Sequence, residues 1–144
     1  MKKAQSSKKY NTSVVFDASL IAPCGMNCGS CIGFMRPVNT CPGCRYISKN
    51  KSEARVNCRI MNCENLEKTA SKFCYDCPKF PCQRMKQLDK RYRTKYNTSF
   101  LENLEIIKQK GMEQFLAFET ERRKCTRCGA TMSVHRDHCL VCQE

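Results

Sequence analysis

A chain of 144 residues with fourteen cysteines, no tryptophan and a formal net charge of +13 at pH 7 has room for one compact domain, or for a small domain with an appendage. No stretch approaches ~18 uninterrupted apolar residues, so no membrane span is expected. The basic, polar start MKKAQSSKKYNTSVVF has no apolar run of signal-peptide length. A cytoplasmic location is therefore expected, where thiols stay reduced and this cysteine density reads as metal ligation rather than as a disulfide scaffold.

Residues 1–19 read as a mobile basic tail, with Lys2, Lys3, Lys8 and Lys9 and no acid before Asp17. Residues 20–82 form a region with ten cysteines and few large aliphatic side chains. Turns and short strands are expected there, with metal ligation supplying the free energy that a small apolar core cannot. The pattern CxxC recurs five times, at 28/31, 41/44, 74/77, 125/128 and 139/142. Two thiolates from one tight turn suit a tetrahedral ion. Cys28-x2-Cys31-x9-Cys41-x2-Cys44 reads as one pair of zinc knuckles, with a Pro-Gly turn inside CPGC. Cys58, Cys63, Cys74, Cys77 and Cys82 form a looser set. The run FCYDCPKFPC places the last three just before a helix start, as in treble-clef-like sites.

Residues 83–123 are a helical segment expected to pack on the cysteine region. Pro81 suits a helix's first turn, and Met85, Leu88, Tyr92 and Tyr96 follow at spacings of three and four. The NTS run at 97–99 breaks that helix, Ser99 opens a capping box with Glu102, and Gly111 closes the second helix. Met112, Phe115, Leu116 and Glu119 predict a third, shorter one. Residues 124–144 have zinc-ribbon spacing, Cys125-x2-Cys128-x10-Cys139-x2-Cys142. Gly129 then suits a positive-φ turn, and His135 and His138 are expected in solvent because four thiolates already complete a site. The predicted fold class is a small metal-stabilised α+β domain: a zinc-knuckle or treble-clef-like N-terminal part, two to three helices and a C-terminal zinc ribbon.

The run CGMNCGSC has the C-x3-C-x2-C spacing with which radical S-adenosylmethionine enzymes hold a cluster. Those enzymes need a β/α barrel, and the residues after Cys31 show no βα alternation. Zinc, about three or four ions, is the expected cofactor. One [4Fe–4S] cluster at Cys24, Cys28, Cys31 and Cys82 is the alternative. Cys24 and Cys82 are left over when the other twelve cysteines form three quartets; a six-thiolate, two-metal site would use them.

Together CGMNCGSC, CPGC, FCYDCPKFPC, the DKRY helix and the trailing ribbon resemble a prokaryotic family known as domain of unknown function 3795, over roughly residues 20–142. The resemblance implies a small cytoplasmic zinc-binding protein. It brings no activity and no catalytic residue.

Each M(II)(Cys)4 centre carries a net charge of about −2, so three would bring +13 to about +7. The remaining excess still favours an anionic partner. Arg84, Lys86, Lys90, Arg91, Arg93 and Lys95 flank the apolar stripe of the first long helix, and Arg122, Arg123 and Lys124 add a second cluster. These nine residues are the expected anion-binding surface. The function expected is a zinc-stabilised binding module docking on RNA, a ribonucleoprotein or an acidic protein. An iron–sulfur or thiol redox protein and a metal-handling protein are the alternatives. With two histidines, no HExxH and no glycine-rich phosphate loop, the sequence leans away from an enzyme.

Overall fold

The computed structural model describes residues 9–142 apart from residues 47, 50 and 52. The lysines of the tail at 2, 3 and 8 lie outside the described residues. Six α-helices are named in chain order: α1 (Ile32–Met35), α2 (Glu53–Val56), α3 (Glu64–Glu67), α4 (Gln83–Tyr96), α5 (Phe100–Lys110) and α6 (Met112–Arg122). Among the described residues there is no strand. The expected β component reduces to two isolated antiparallel bridges, Ile21 with Asn27 and Lys124 with Thr131. Local turns take up the backbone groups instead: Cys31 N–H donates to Cys28 O (3.0 Å), and Cys77 N–H to Cys74 O (3.0 Å). A chain that keeps folding back on itself every few residues has no free ladder edge to offer.

The three long helices form where the apolar spacing predicts them, with differences at their ends. α4 starts at Gln83 with Cys82 as its N-cap, so Pro81 precedes the helix, joined to Phe80 by a cis peptide bond. Asn97 ends α4 in the left-handed region (φ 51°). Ser99 caps α5 as expected, its hydroxyl accepting from Glu102 N–H at 3.1 Å. Gly111 (φ 92°) joins α5 to α6, and the two helices have eleven residues each. The third helix is therefore as long as the second.

The centre of the molecule is the cysteine loop rather than the helices. Every residue from 20 to 31 is buried. Ile21, Ala22 and Met26 pack with Met85 of α4, Phe100, Leu104 and Ile107 of α5, Phe115 of α6 and Val134 of the ribbon. Each large side chain buried here contributes about 1.5–3 kcal/mol. Gly25 makes this close approach possible. Its φ is +94°, and a β-carbon there would lie 2.9 Å from Phe100 O and 3.0 Å from Leu104 Cγ. The ribbon is docked rather than separate. Val134 N–H and the Ser133 hydroxyl both donate to Ser30 O, at 2.8 and 2.9 Å. The end of the presumed tail is also held: Asn11 N–H donates to Met35 O (2.7 Å), and Thr131 N–H to Thr12 O (2.8 Å).

Two buried acids fasten the helices. Glu119 of α6 accepts from Asn27 Nδ2 (2.9 Å) and from Arg122 Nε (2.7 Å). Arg122 also donates to Asn103 Oδ1 (2.9 Å), and Asn103 Nδ2 donates to Gly25 O (2.9 Å). A continuous polar chain thus ties α5 and α6 to the cysteine loop.

Asp89 of α4 is the second buried acid. It accepts from the Ser99 hydroxyl (2.8 Å), Leu101 N–H (3.0 Å) and Arg93 Nε (3.0 Å). Burial pushes its pKa up, but the Leu101 N–H, the Ser99 hydroxyl and Arg93 outweigh it and hold the carboxyl below the ordinary carboxylate range. A depressed folded pKa means that the stabilisation is fully present above the unfolded value of ~3.9. It is lost as the pH falls through the folded pKa. Asp89→Asn should therefore cost about 1–3 kcal/mol at pH 7. Its urea stability should also fall less steeply below pH 4 than the parent's, and denaturant titrations at pH 7 and pH 3 check both.

Candidate metal centre

The ribbon turns place four sulfurs together. Gly129, at φ +80°, reverses the chain after Cys128, and Gly129 N–H donates to Cys125 O at 2.9 Å. The second knuckle brings Cys139 and Cys142 back against the first. The sulfurs of Cys125, Cys128, Cys139 and Cys142 all lie within 4.8 Å of one another, with Cys128 and Cys139 at 3.6 Å. This group could hold a metal ion. Four thiolates without a carboxylate or water suit a soft or borderline ion in a closed tetrahedral site.

The backbone prepares these sulfurs for a cation. Arg127 N–H points at Cys125 Sγ (3.4 Å), and Val141 N–H and Cys142 N–H both point at Cys139 Sγ (3.4 Å each). The N–H groups of Cys128 and Arg127 bring the Cys125 thiol down to about 6. Cys142 is pushed up to about 12, first by sharing a proton with the Cys128 sulfur. Four sulfurs this close hold protons between them, and a divalent ion would displace those protons into solvent.

His135 differs from expectation. His135 is half-buried, and its Nδ1 accepts from Ile32 N–H at 3.3 Å. Nε2 then carries the proton and donates to the Tyr92 hydroxyl (2.8 Å). His135 pins the ribbon to the residue after Cys31 and to α4, with its ring edge-on to Tyr96 (4.9 Å between centroids). His138 pairs with Asp137 at 3.0 Å.

The expected N-terminal quartet of Cys28, Cys31, Cys41 and Cys44 is not gathered within 4.8 Å as the C-terminal four are. Cys44 N–H donates to Cys28 Sγ at 3.3 Å, and Cys31 and Cys41 both lie beside Gly33, where a β-carbon would be 3.6 Å from Cys31 Sγ and 3.8 Å from Cys41 Cβ. Cys24 is buried, and its thiol is raised first by burial and then by the charges of Cys44, Cys74 and Cys58. Cys63, Cys74, Cys77 and Cys82 line one pocket. Of the set considered for an iron–sulfur cluster, Cys82 lines that pocket together with Cys74, and Cys74 is among the charges acting on Cys24. Among the described residues, the ribbon quartet is the one metal-ligating group gathered within 4.8 Å. Arg45 stands beside this region, its Nε donating to Ile21 O (2.7 Å) and its guanidinium 4.6 Å above the Phe73 ring.

The basic residues also divide. Arg84, Lys86, Lys90, Arg91, Arg93 and Lys95 of α4 are exposed, and so is Lys124. Arg122 and Arg123 are turned inward. Arg122 holds Glu119 and Asn103, and Arg123 donates to Thr98 Oγ1 at 3.1 Å. Burial lowers the Arg123 pKa, against the opposing pull of Glu119. Both arginines therefore leave the expected anion-binding surface, because their guanidinium groups are committed to buried acceptors.

Residues 20–87 match the family model described as "Protein of unknown function (DUF3795)". The match takes in the buried loop, all ten N-terminal cysteines and the first turn of α4, and ends before α5, α6 and the ribbon. No curated protein and no solved structure matches the chain. Among the described residues, no helix is long and apolar enough to cross a membrane.

Proposed function

We propose that the protein is a zinc-stabilised binding module whose α4 lies along the phosphate backbone of RNA, free or within a ribonucleoprotein. The reading is carried by one observation: α4 has six exposed basic side chains, and its one acid, Asp89, is buried against α5. The solvent face of the helix is consequently basic, with Asp89 offsetting Arg93 alone among the six. At 100° per residue, Arg84, Arg91 and Lys95 line one flank over about 16 Å of helix axis. Lys86, Lys90 and Arg93 line the other. Arg93 keeps 60% of its side chain exposed while it holds Asp89. Zinc is favoured by the all-sulfur ribbon site, and its role is structural, holding the ribbon against the loop on which α4 packs.

Phosphate contacts of this kind carry little sequence information and are strongly salt-dependent. Fluorescence anisotropy with a single-stranded RNA should give an affinity that falls with salt. Arg91→Glu/Lys95→Glu should reduce the log–log salt slope by roughly 0.7 for each contact removed. If the parent protein binds no RNA at low salt but binds an acidic polypeptide, the partner is a protein and the RNA reading is wrong.

A further inference from the structure

We infer that the cleft between the C-terminal end of α4 and the loop carrying His135 takes one unpaired base of a bound single-stranded RNA. The inference rests on the RNA reading above and names how a strand lying along α4 is gripped at one end. The cleft has a volume of about 580 Å³, within the ~300–1,000 Å³ of sites that hold small organic ligands. The end of α4 lines it with Lys95, Tyr96 and Asn97. The loop between the two C-terminal cysteine pairs lines it with Val134, His135 and Arg136. Lys95 belongs both to this cleft and to the basic flank of α4, so a backbone following Arg91 and Lys95 arrives at its mouth.

The lining has the chemistry that a splayed-out base needs. Such a base is held by packing on aromatic rings or guanidinium planes, and its polar edge is met by hydrogen-bonding groups. Tyr96 and His135 are half-buried at the cleft, their ring centroids 4.9 Å apart. Arg136 is exposed, with its Nη1 donating to His135 O at 3.2 Å, which keeps the guanidinium on this loop. Asn97 is exposed too, and its amide can both donate to and accept from a base edge. The position on the helix favours a base over a phosphate. The last turn of a helix has carbonyls without intrahelical partners and carries the negative end of its dipole. A neutral ring with N–H donors suits that end, and an anion does not. Asp137 also lines the cleft and pairs with His138 at 3.0 Å. Both sides are built in advance. His135 is held by Ile32 N–H (3.3 Å) and the Tyr92 hydroxyl (2.8 Å), and Thr98 Oγ1 donates to Tyr96 O (3.0 Å). A preformed cleft has little ordering left to lose on binding.

The test uses the full chain and two short single-stranded RNAs of equal length, one intact and one abasic throughout. Intact RNA should bind about tenfold more tightly at the same salt concentration, the gain that packing one base on a ring supplies. Tyr96→Leu keeps an apolar side chain beside Tyr92. It should bring that ratio close to unity and leave the log–log salt slope unchanged. Because Tyr96→Leu could disturb the end of α4, the parent protein is also photo-cross-linked to RNA carrying 5-iodouracil, with the modified peptides read by mass spectrometry. Cross-links are expected on Tyr96 or His135. Equal affinity for the two RNAs, or cross-links confined to segments outside residues 94–97 and 134–137, would overturn the inference and leave the phosphate reading of α4 standing. Binding of neither RNA at low salt would overturn both.

Discussion

Cys139→Ser should release the ribbon from the rest of the molecule. Cys139 is buried, lies 3.6 Å from Cys128 Sγ and accepts two backbone N–H groups. It is the sulfur about which the second knuckle turns. A serine hydroxyl is a poor ligand for a borderline-soft ion, so the loss in affinity should exceed the ~10–100-fold that changes outside the coordination shell cost. Metal binding at a structural site is folding free energy, on the order of 10–16 kcal/mol for isolated zinc-finger peptides. Competition with a chromophoric chelator measures the first effect. Hydrogen exchange measures the second: the amides of Val134 and Cys125, which donate to Ser30 O and Ala130 O, should lose protection. The amides within α5 and α6 should keep most of theirs.

Glu119→Ala should be the most damaging change outside the cysteines. Glu119 is 1% exposed and faces Asn27, Arg122 and Arg123. Removing its carboxylate leaves two guanidinium groups and an amide with no anionic partner in a largely dry setting. Breaking a buried ion pair from one side costs about 3–5 kcal/mol, which for a chain of this size corresponds to a melting-point loss of about 10 °C or more. Glu119→Gln keeps an acceptor for Asn27 and should recover part of the loss. A melting point unchanged by Glu119→Ala would mean that the polar chain from Asn27 to Asn103 does not fasten the helices to the loop.

The helices and the C-terminal four-cysteine group were readable because their signals are local. Met85, Leu88, Tyr92 and Tyr96 repeat within one helix, Ser99 and Glu102 cap within one turn, and the ribbon's four cysteines sit within eighteen residues. The pairing of the N-terminal cysteines was not readable. Knuckle spacing specifies a turn around two sulfurs but carries no information on which other turn faces it. Cys44 meets Cys28, whereas Cys82 shares a pocket with Cys63. The partners of the two buried acids were missed for a related reason. Asp89 and Glu119 look like surface charges, and their partners lie up to 92 positions away. A signal was present, since Asp89 falls four residues after Met85 and Glu119 four after Phe115, on the inward faces of their helices. The expected β-structure failed because the cysteine turns take up their own backbone groups and leave no extended edge to pair.

The account rests on sulfur-bound metal completing a fold whose centre is a loop of cysteines rather than a layer of aliphatic side chains. The most direct measurement is near-ultraviolet circular dichroism of the full chain, kept fully reduced, before and after exhaustive removal of metal by chelation. Loss of the aromatic signal on stripping, and its return when zinc is added back, is the predicted result. An unchanged spectrum in metal-free protein, with an unchanged melting point, would contradict the account.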